Sequence, residues 1–123
     1  MSDITGRCLC GATTYRAQGP AKFAIRCYCT DCQRITGTGS APQLGLASDD
    51  VTFSGPLAAH NAKAESGSDL AFKFCNACGS PIAKTTSKAP TTVFVYAGSL
   101  DDPAHFPADA MSVFEDSRQS WDT

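Results

Sequence analysis

The chain has 123 residues, a formal net charge of −2 and ten Lys plus Arg with no basic run. That length predicts a single domain, spanning residues 4–121, with a modest core. The missing basic stripe argues against a nucleic-acid partner, and with no apolar stretch of about 18 residues no membrane span is expected.

Strand and turn signals dominate. Ala12 to Ala17 follows Gly11 and ends at Gly19-Pro20, the second arm of a hairpin whose turn carries Cys8 and Cys10. Phe23 to Cys27 is a short strand. Thr30 to Thr36 predicts one or two helical turns, capped by Thr30 and stopped by Gly37. Ala41 to Ala47 and Val51 to Phe53 are strands around a Ser48-Asp-Asp50 turn. Ala62 to Asp69 is small and polar, an exposed loop. Leu70, Phe72 and Phe74 alternate as on a half-buried strand that runs into Cys75, and Pro81 to Thr85 returns from that tip. Thr91 to Tyr96 is the strongest strand and Ser112 to Phe114 a weak last one. The fold class is mainly β, with one short helix.

Seven cysteines stand in three clusters: Cys8-Leu-Cys10, Cys27-Tyr-Cys29-Thr-Asp-Cys32 and Cys75-Asn-Ala-Cys78. Thiolates so close in sequence can grip one ion, and zinc favours tetrahedral sulfur sites. A disulfide framework fits poorly. Seven is odd, a C-x-C pair is awkward for bridging, and Met1-Ser-Asp-Ile-Thr-Gly-Arg shows no secretion signal. Free thiols then point to a reducing cytoplasm. A redox dithiol would rest on Cys75 and Cys78, which needs a helix after the motif, whereas Gly79 and Pro81 suit a turn.

Cys8/Cys10 and Cys75/Cys78 are pairs at predicted hairpin tips, each backed by glycine, Gly11 or Gly79. Two such knuckles make a closed four-cysteine site. Cys27, Cys29 and Cys32 remain as an open set of the catalytic kind. The rival partition joins the middle cluster to Cys75/Cys78 and leaves Cys8/Cys10 as a poor two-ligand site. Two zinc ions per chain are expected, the second labile.

The order Gly6-x-Cys8-x-Cys10-Gly11-Ala12-x-x-Tyr15, Cys27-x-Cys29-x-x-Cys32-x-Arg34-x-x-Gly37, Phe74-Cys75-x-x-Cys78-Gly79-x-Pro81 and Gly98-Ser-Leu-Asp-Asp-Pro103 resembles the glutathione-dependent formaldehyde-activating (GFA/CENP-V) family. The likeness runs from Gly6 to Trp121. It implies the Mss4-like β-tent fold of small antiparallel sheets, a carbon–sulfur lyase activity, and glutathione as the small thiol partner. It also implies Cys8, Cys10, Cys75 and Cys78 as structural zinc ligands and Cys27, Cys29 and Cys32 as catalytic ones. Two positions depart from the family pattern, where histidine is frequent: Tyr28 inside the triad and Ser112 before Val113-Phe114.

Other residues divide between chemistry and packing. Arg34 can bind a substrate carboxylate or lower thiolate pKa values. Tyr28 can face the open position or pack. Asp31 reads as a solvated helix-start carboxylate, Asp101-Asp102 as a turn before Pro103, and His60 and His105 as surface loop residues. Phe114 and Trp121 are expected in the core. Two function classes follow: an enzyme joining or splitting a thiol and a small carbonyl, or a non-catalytic zinc module for a protein partner.

Overall fold

The computed structural model describes residues 3–122; Met1 and Ser2 of the N-terminal stretch, and Thr123, lie outside them. The chain order is β1 (Ile4–Arg7), β2 (Thr14–Ala17), β3 (Phe23–Cys27), α1 (Thr30–Thr36), β4 (Ala41–Ala47), β5 (Val51–Ser54), β6 (Ala58–Lys63), β7 (Asp69–Phe74), β8 (Pro81–Thr86), β9 (Thr92–Tyr96) and β10 (Met111–Val113). Short 3₁₀ turns cover Ser48–Asp50, Ala97–Ser99, Pro103–His105 and Glu115–Ser117. The fold is mainly β with one short α-helix, as expected.

Two sheets result. One is three-stranded in the order β1-β2-β5, the other seven-stranded in the order β10-β3-β4-β9-β8-β7-β6. Side chains alternate across a strand, so each central strand of the large sheet serves two layers. Leu44, Leu46, Ala83, Val93 and Val95 pack with Ile4, Tyr15 and Ala17 of the small sheet to form the main core. The opposite face carries a second cluster of Cys27, Cys32, Ala41 and Tyr96. Burial on both faces explains why β9 is a continuous apolar run without alternation.

Four expectations need correction. Ala58 to Lys63 is a strand, β6, paired in register with β7, so the exposed loop shrinks to residues 64–68. Its Ala-Ala-His-Asn-Ala-Lys sequence lacks an apolar face because it lies at the sheet edge. His60 accordingly stands on an exposed strand. Second, β10 runs parallel to β3, so one pairing departs from the antiparallel pattern. Third, Phe114 and Trp121 are exposed, at 66% and 67%. Phe114 adopts a left-handed conformation (φ 58°) directly after the edge strand, which turns the chain away from the core. Fourth, the helix cap is Cys29, not Thr30.

Candidate metal centres

Cys8 and Cys10 follow β1, and Cys75 and Cys78 follow β7. The fold brings these two turns together, and all four Sγ atoms lie within 4.8 Å of one another. Cys8 Sγ is 3.5 Å from Cys10 Sγ, which is 3.9 Å from Cys75 Sγ. Thiolates around a tetrahedral zinc at roughly 2.3 Å would stand about 3.8 Å apart, so the donor set fits that ion. Gly11 (φ 82°) and Gly79 (φ 84°) take the left-handed conformation that the two turns require. The Thr13 N–H donates to Cys8 Sγ at 3.3 Å. The Leu9 N–H donates to Ser80 Oγ at 3.1 Å, and that hydroxyl lies 3.1 Å from Cys78 Sγ. These bonds stitch the knuckles together around the sulfurs.

Crowded sulfurs cannot all ionise without a cation. The Ser80 hydroxyl and the backbone N–H groups of Cys10 and Ser80 hold the Cys78 thiol down to about 5. At Cys10 the Ala12 N–H acts in the same direction, but the Cys8 sulfur and burial outweigh it and push the thiol up to about 11. A divalent metal would supply the missing positive charge.

The second centre is local. Cys27 ends β3, the chain stays extended to Cys29, and Cys29 Sγ accepts the Cys32 N–H at 3.3 Å as cap of α1. Gly37 ends the helix in a left-handed conformation, its N–H bonded to Gln33 O at 2.8 Å. Cys27, Cys29 and Cys32 place their sulfurs within 4.8 Å of one another. The Cys27 and Cys32 thiols, helped by the Cys32 N–H and the Lys84 ammonium, hold the Cys29 thiol at about 2. The same contacts run the other way at their partners. Cys29 pushes the Cys27 thiol up, and Cys27 and Cys29, with burial, push Cys32 up strongly.

Strand register explains what surrounds the triad. Cys27 pairs with Ala41, Gln43 with Tyr96, and Phe94 with Lys84, all on one face of the large sheet. Gln43 Nε2 donates to Cys32 Sγ at 3.4 Å, and Lys84 Nζ stands 3.9 Å from the same sulfur. Lys84 also lies over the Phe94 ring, 4.9 Å from its centroid. Burial, then the triad sulfurs, push the Tyr96 hydroxyl upward. An open groove of about 850 Å³ adjoins this cluster, lined by Arg7, Cys8, Ser40, Ala41, Tyr96 and Ser99 among others. Ala41 and Tyr96 belong to both the groove and the triad cluster.

The residues singled out in the sequence fall as follows. Both cysteine sets assemble in the argued partition, and neither includes a histidine. Arg34 is exposed in the last turn of α1; the cation facing the sulfurs is Lys84. Tyr28 is buried, and its hydroxyl accepts from Arg118 Nη2 at 2.6 Å while the guanidinium lies 4.5 Å from the ring centroid. That hydroxyl is thus engaged by the C-terminal segment. Asp31 is exposed. Asp101 accepts from the Thr5 hydroxyl at 2.8 Å, and Asp102 caps the Pro103–His105 turn. Lys84, Gln43 and Tyr96 escaped sequence reasoning. Only Gln43, a lone amide inside the apolar strand Ala-Pro-Gln-Leu-Gly-Leu-Ala, carried a local signal.

Two sulfur sets, one of four cysteines and one of three, could each hold a metal ion. The family of glutathione-dependent formaldehyde-activating enzymes matches residues 3–117, and the chain belongs to it. A crystal structure of a Rhodobacter sphaeroides protein shares the fold, with a TM-score of 0.66 at 20% identity, covering 89% of this chain and 99% of that one. None of the curated proteins compared matches the chain.

Proposed function

We propose that the protein is a zinc-dependent enzyme of the carbon–sulfur lyase type, acting on the adduct of a small thiol such as glutathione with an aldehyde or similar carbonyl. Cys8, Cys10, Cys75 and Cys78 hold a structural zinc, and Cys27, Cys29 and Cys32 hold the catalytic one. Three thiolates leave the fourth tetrahedral position free, as catalytic sites do. When bound, zinc supplies a Lewis acid that keeps a thiol ionised near neutral pH.

The chain's own residues supply the setting. Lys84 offsets the excess negative charge of three thiolates, the task the sequence had suggested for Arg34. Gln43 donates to Cys32 Sγ and fixes its lone pairs. Tyr28, through Arg118, anchors the segment between Cys27 and Cys29. The adjoining groove offers room for the body of a peptide-sized thiol, with Arg7 among its lining residues for a carboxylate. The observation that carries the proposal is the three-sulfur set, whose packing neighbours Ala41 and Tyr96 also line a groove, within a family described by glutathione and formaldehyde chemistry.

The test is a ligand-NMR screen of zinc-loaded protein against glutathione with formaldehyde and with larger aldehydes. Faster formation or breakdown of an adduct is expected, with shifts in residues 27–34. If millimolar glutathione shifts nothing there, the protein is a zinc-binding module for a protein partner instead.

A further inference from the structure

Among the described residues, three buried side-chain polar atoms lack a hydrogen-bond partner: Gln43 Oε1, Tyr96 Oη and Ser48 Oγ. Two of the three are cross-strand neighbours, since Gln43 pairs with Tyr96 in the β4–β9 register. Directly opposed residues stand side by side on one face, and this face bears the triad. Gln43 is fully buried and Tyr96 is 6% exposed. Buried polar groups without partners destabilise a fold and are rare. Two together, one a donor and one an acceptor, beside Cys27 and Cys32, suit a ligand group that both accepts and donates. A hydroxyl does so.

We propose that Tyr96 and Gln43 are substrate-positioning residues that select a hydroxyl on the carbon next to sulfur, the group that distinguishes a thiol–carbonyl adduct from the thiol alone. The inference rests on the function proposed above and names the part of the substrate that this pair reads. The balance of the reaction suits the pair. As sulfur bonds to the carbonyl carbon, the carbonyl π pair moves to oxygen, and the proton given up by the thiol ends on that oxygen. No oxidant or further reactant enters. Tyr96 Oη donates to the oxygen as charge gathers there, and Gln43 Oε1 accepts the new O–H. In the reverse direction the same pair holds the hydroxyl as the carbon–sulfur bond breaks. Gln43 Nε2 is committed to Cys32 Sγ, so its carbonyl oxygen is left for the ligand.

The experiment compares wild type, Tyr96→Phe and Gln43→Met as zinc-loaded proteins. Each is titrated with glutathione alone and with glutathione plus ¹³C-formaldehyde, read by NMR, and each is melted without ligand. In Tyr96→Phe, adduct affinity should fall about tenfold while affinity for glutathione alone and zinc content stay unchanged. Its melting temperature should hold or rise, because the lost hydroxyl had no partner. Gln43→Met should also lose adduct affinity, but because it removes the Nε2–Cys32 Sγ bond as well, its zinc content is measured alongside and the selectivity is judged on Tyr96→Phe. A lowered melting temperature in Tyr96→Phe would mean that a trapped water or the protein satisfies the hydroxyl, and would overturn the proposal. So would equal adduct affinity in wild type and Tyr96→Phe, which leaves the lyase reading standing. Wild-type protein that binds neither ligand would overturn both.

Discussion

The Sγ of Cys29 accepts the Cys32 N–H and caps α1, while the same atom belongs to the three-sulfur set. Serine is a preferred cap with an oxygen in the equivalent place, so Cys29→Ser keeps the helix and loses a soft ligand. It should cost less than about 1 kcal/mol of stability and remove one zinc per chain, checked by urea unfolding and metal analysis. Titration at the triad follows the same sulfurs. Cys29, held near 2, is ionised at neutral pH, whereas Cys27 and Cys32, pushed up, keep their protons. Metal uptake must displace those protons, so triad affinity should fall as pH falls. Protein already loaded at the four-cysteine set should release about two protons with the second ion. Calorimetry in buffers of different ionisation enthalpy measures this.

At the level of elements, the triad segment is held by the chain's far end. Gln33 Nε2 donates to Tyr28 O at 2.7 Å and to Ser117 O at 2.9 Å, and Gln33 Oε1 accepts from Gln119 Nε2 at 2.9 Å. The Tyr28 N–H reaches Val113 O at 3.0 Å. Gln33 is buried, so Gln33→Leu would strand two carbonyls. It should destabilise by about 2 kcal/mol, and hydrogen exchange should quicken at residues 113–119. Unchanged exchange would mean that β10 and the Arg118–Tyr28 contact hold this segment without Gln33. The C-terminal segment thus works as a strap across α1 and its approach, although its aromatic residues Phe114 and Trp121 face solvent.

Across the whole molecule, the four-cysteine set ties the β1–β2 turn to the β7–β8 turn, some 65 residues apart between Cys10 and Cys75. Losing that set removes a long-range tie that supplements the core shared by the two sheets; losing the triad frees only a short local segment. Cys78→Ser should therefore unfold the domain, or lower its melting temperature far more than Cys29→Ser does. Thermal melts of the two variants side by side decide it, and similar losses would contradict this division of labour. No helix among the described residues is long and apolar enough to cross a membrane.

Much of this was legible in the chain itself. Cysteine spacing made the triad and the two glycine-backed pairs legible, because ligands two or three residues apart are brought together by local turns, whereas the meeting of Cys8/Cys10 with Cys75/Cys78 depends on two turns distant in sequence packing together. β3, α1, β4 and β7 to β9 were readable from apolar runs and breakers, since burial demands those patterns. The edge strand β6 was not readable, as an exposed strand needs no apolar face. The exposure of Phe114 and Trp121 was likewise hidden, because an aromatic residue near a chain end carries no mark of which way it faces. Only the tertiary structure decided which side chains meet the triad. Gln43, Lys84 and Tyr96 come from three strands, and their convergence depends on strand order and register. Those are set by packing between distant segments, which no local pattern records, and so Arg34, near the triad in sequence, yields to Lys84, near it in space.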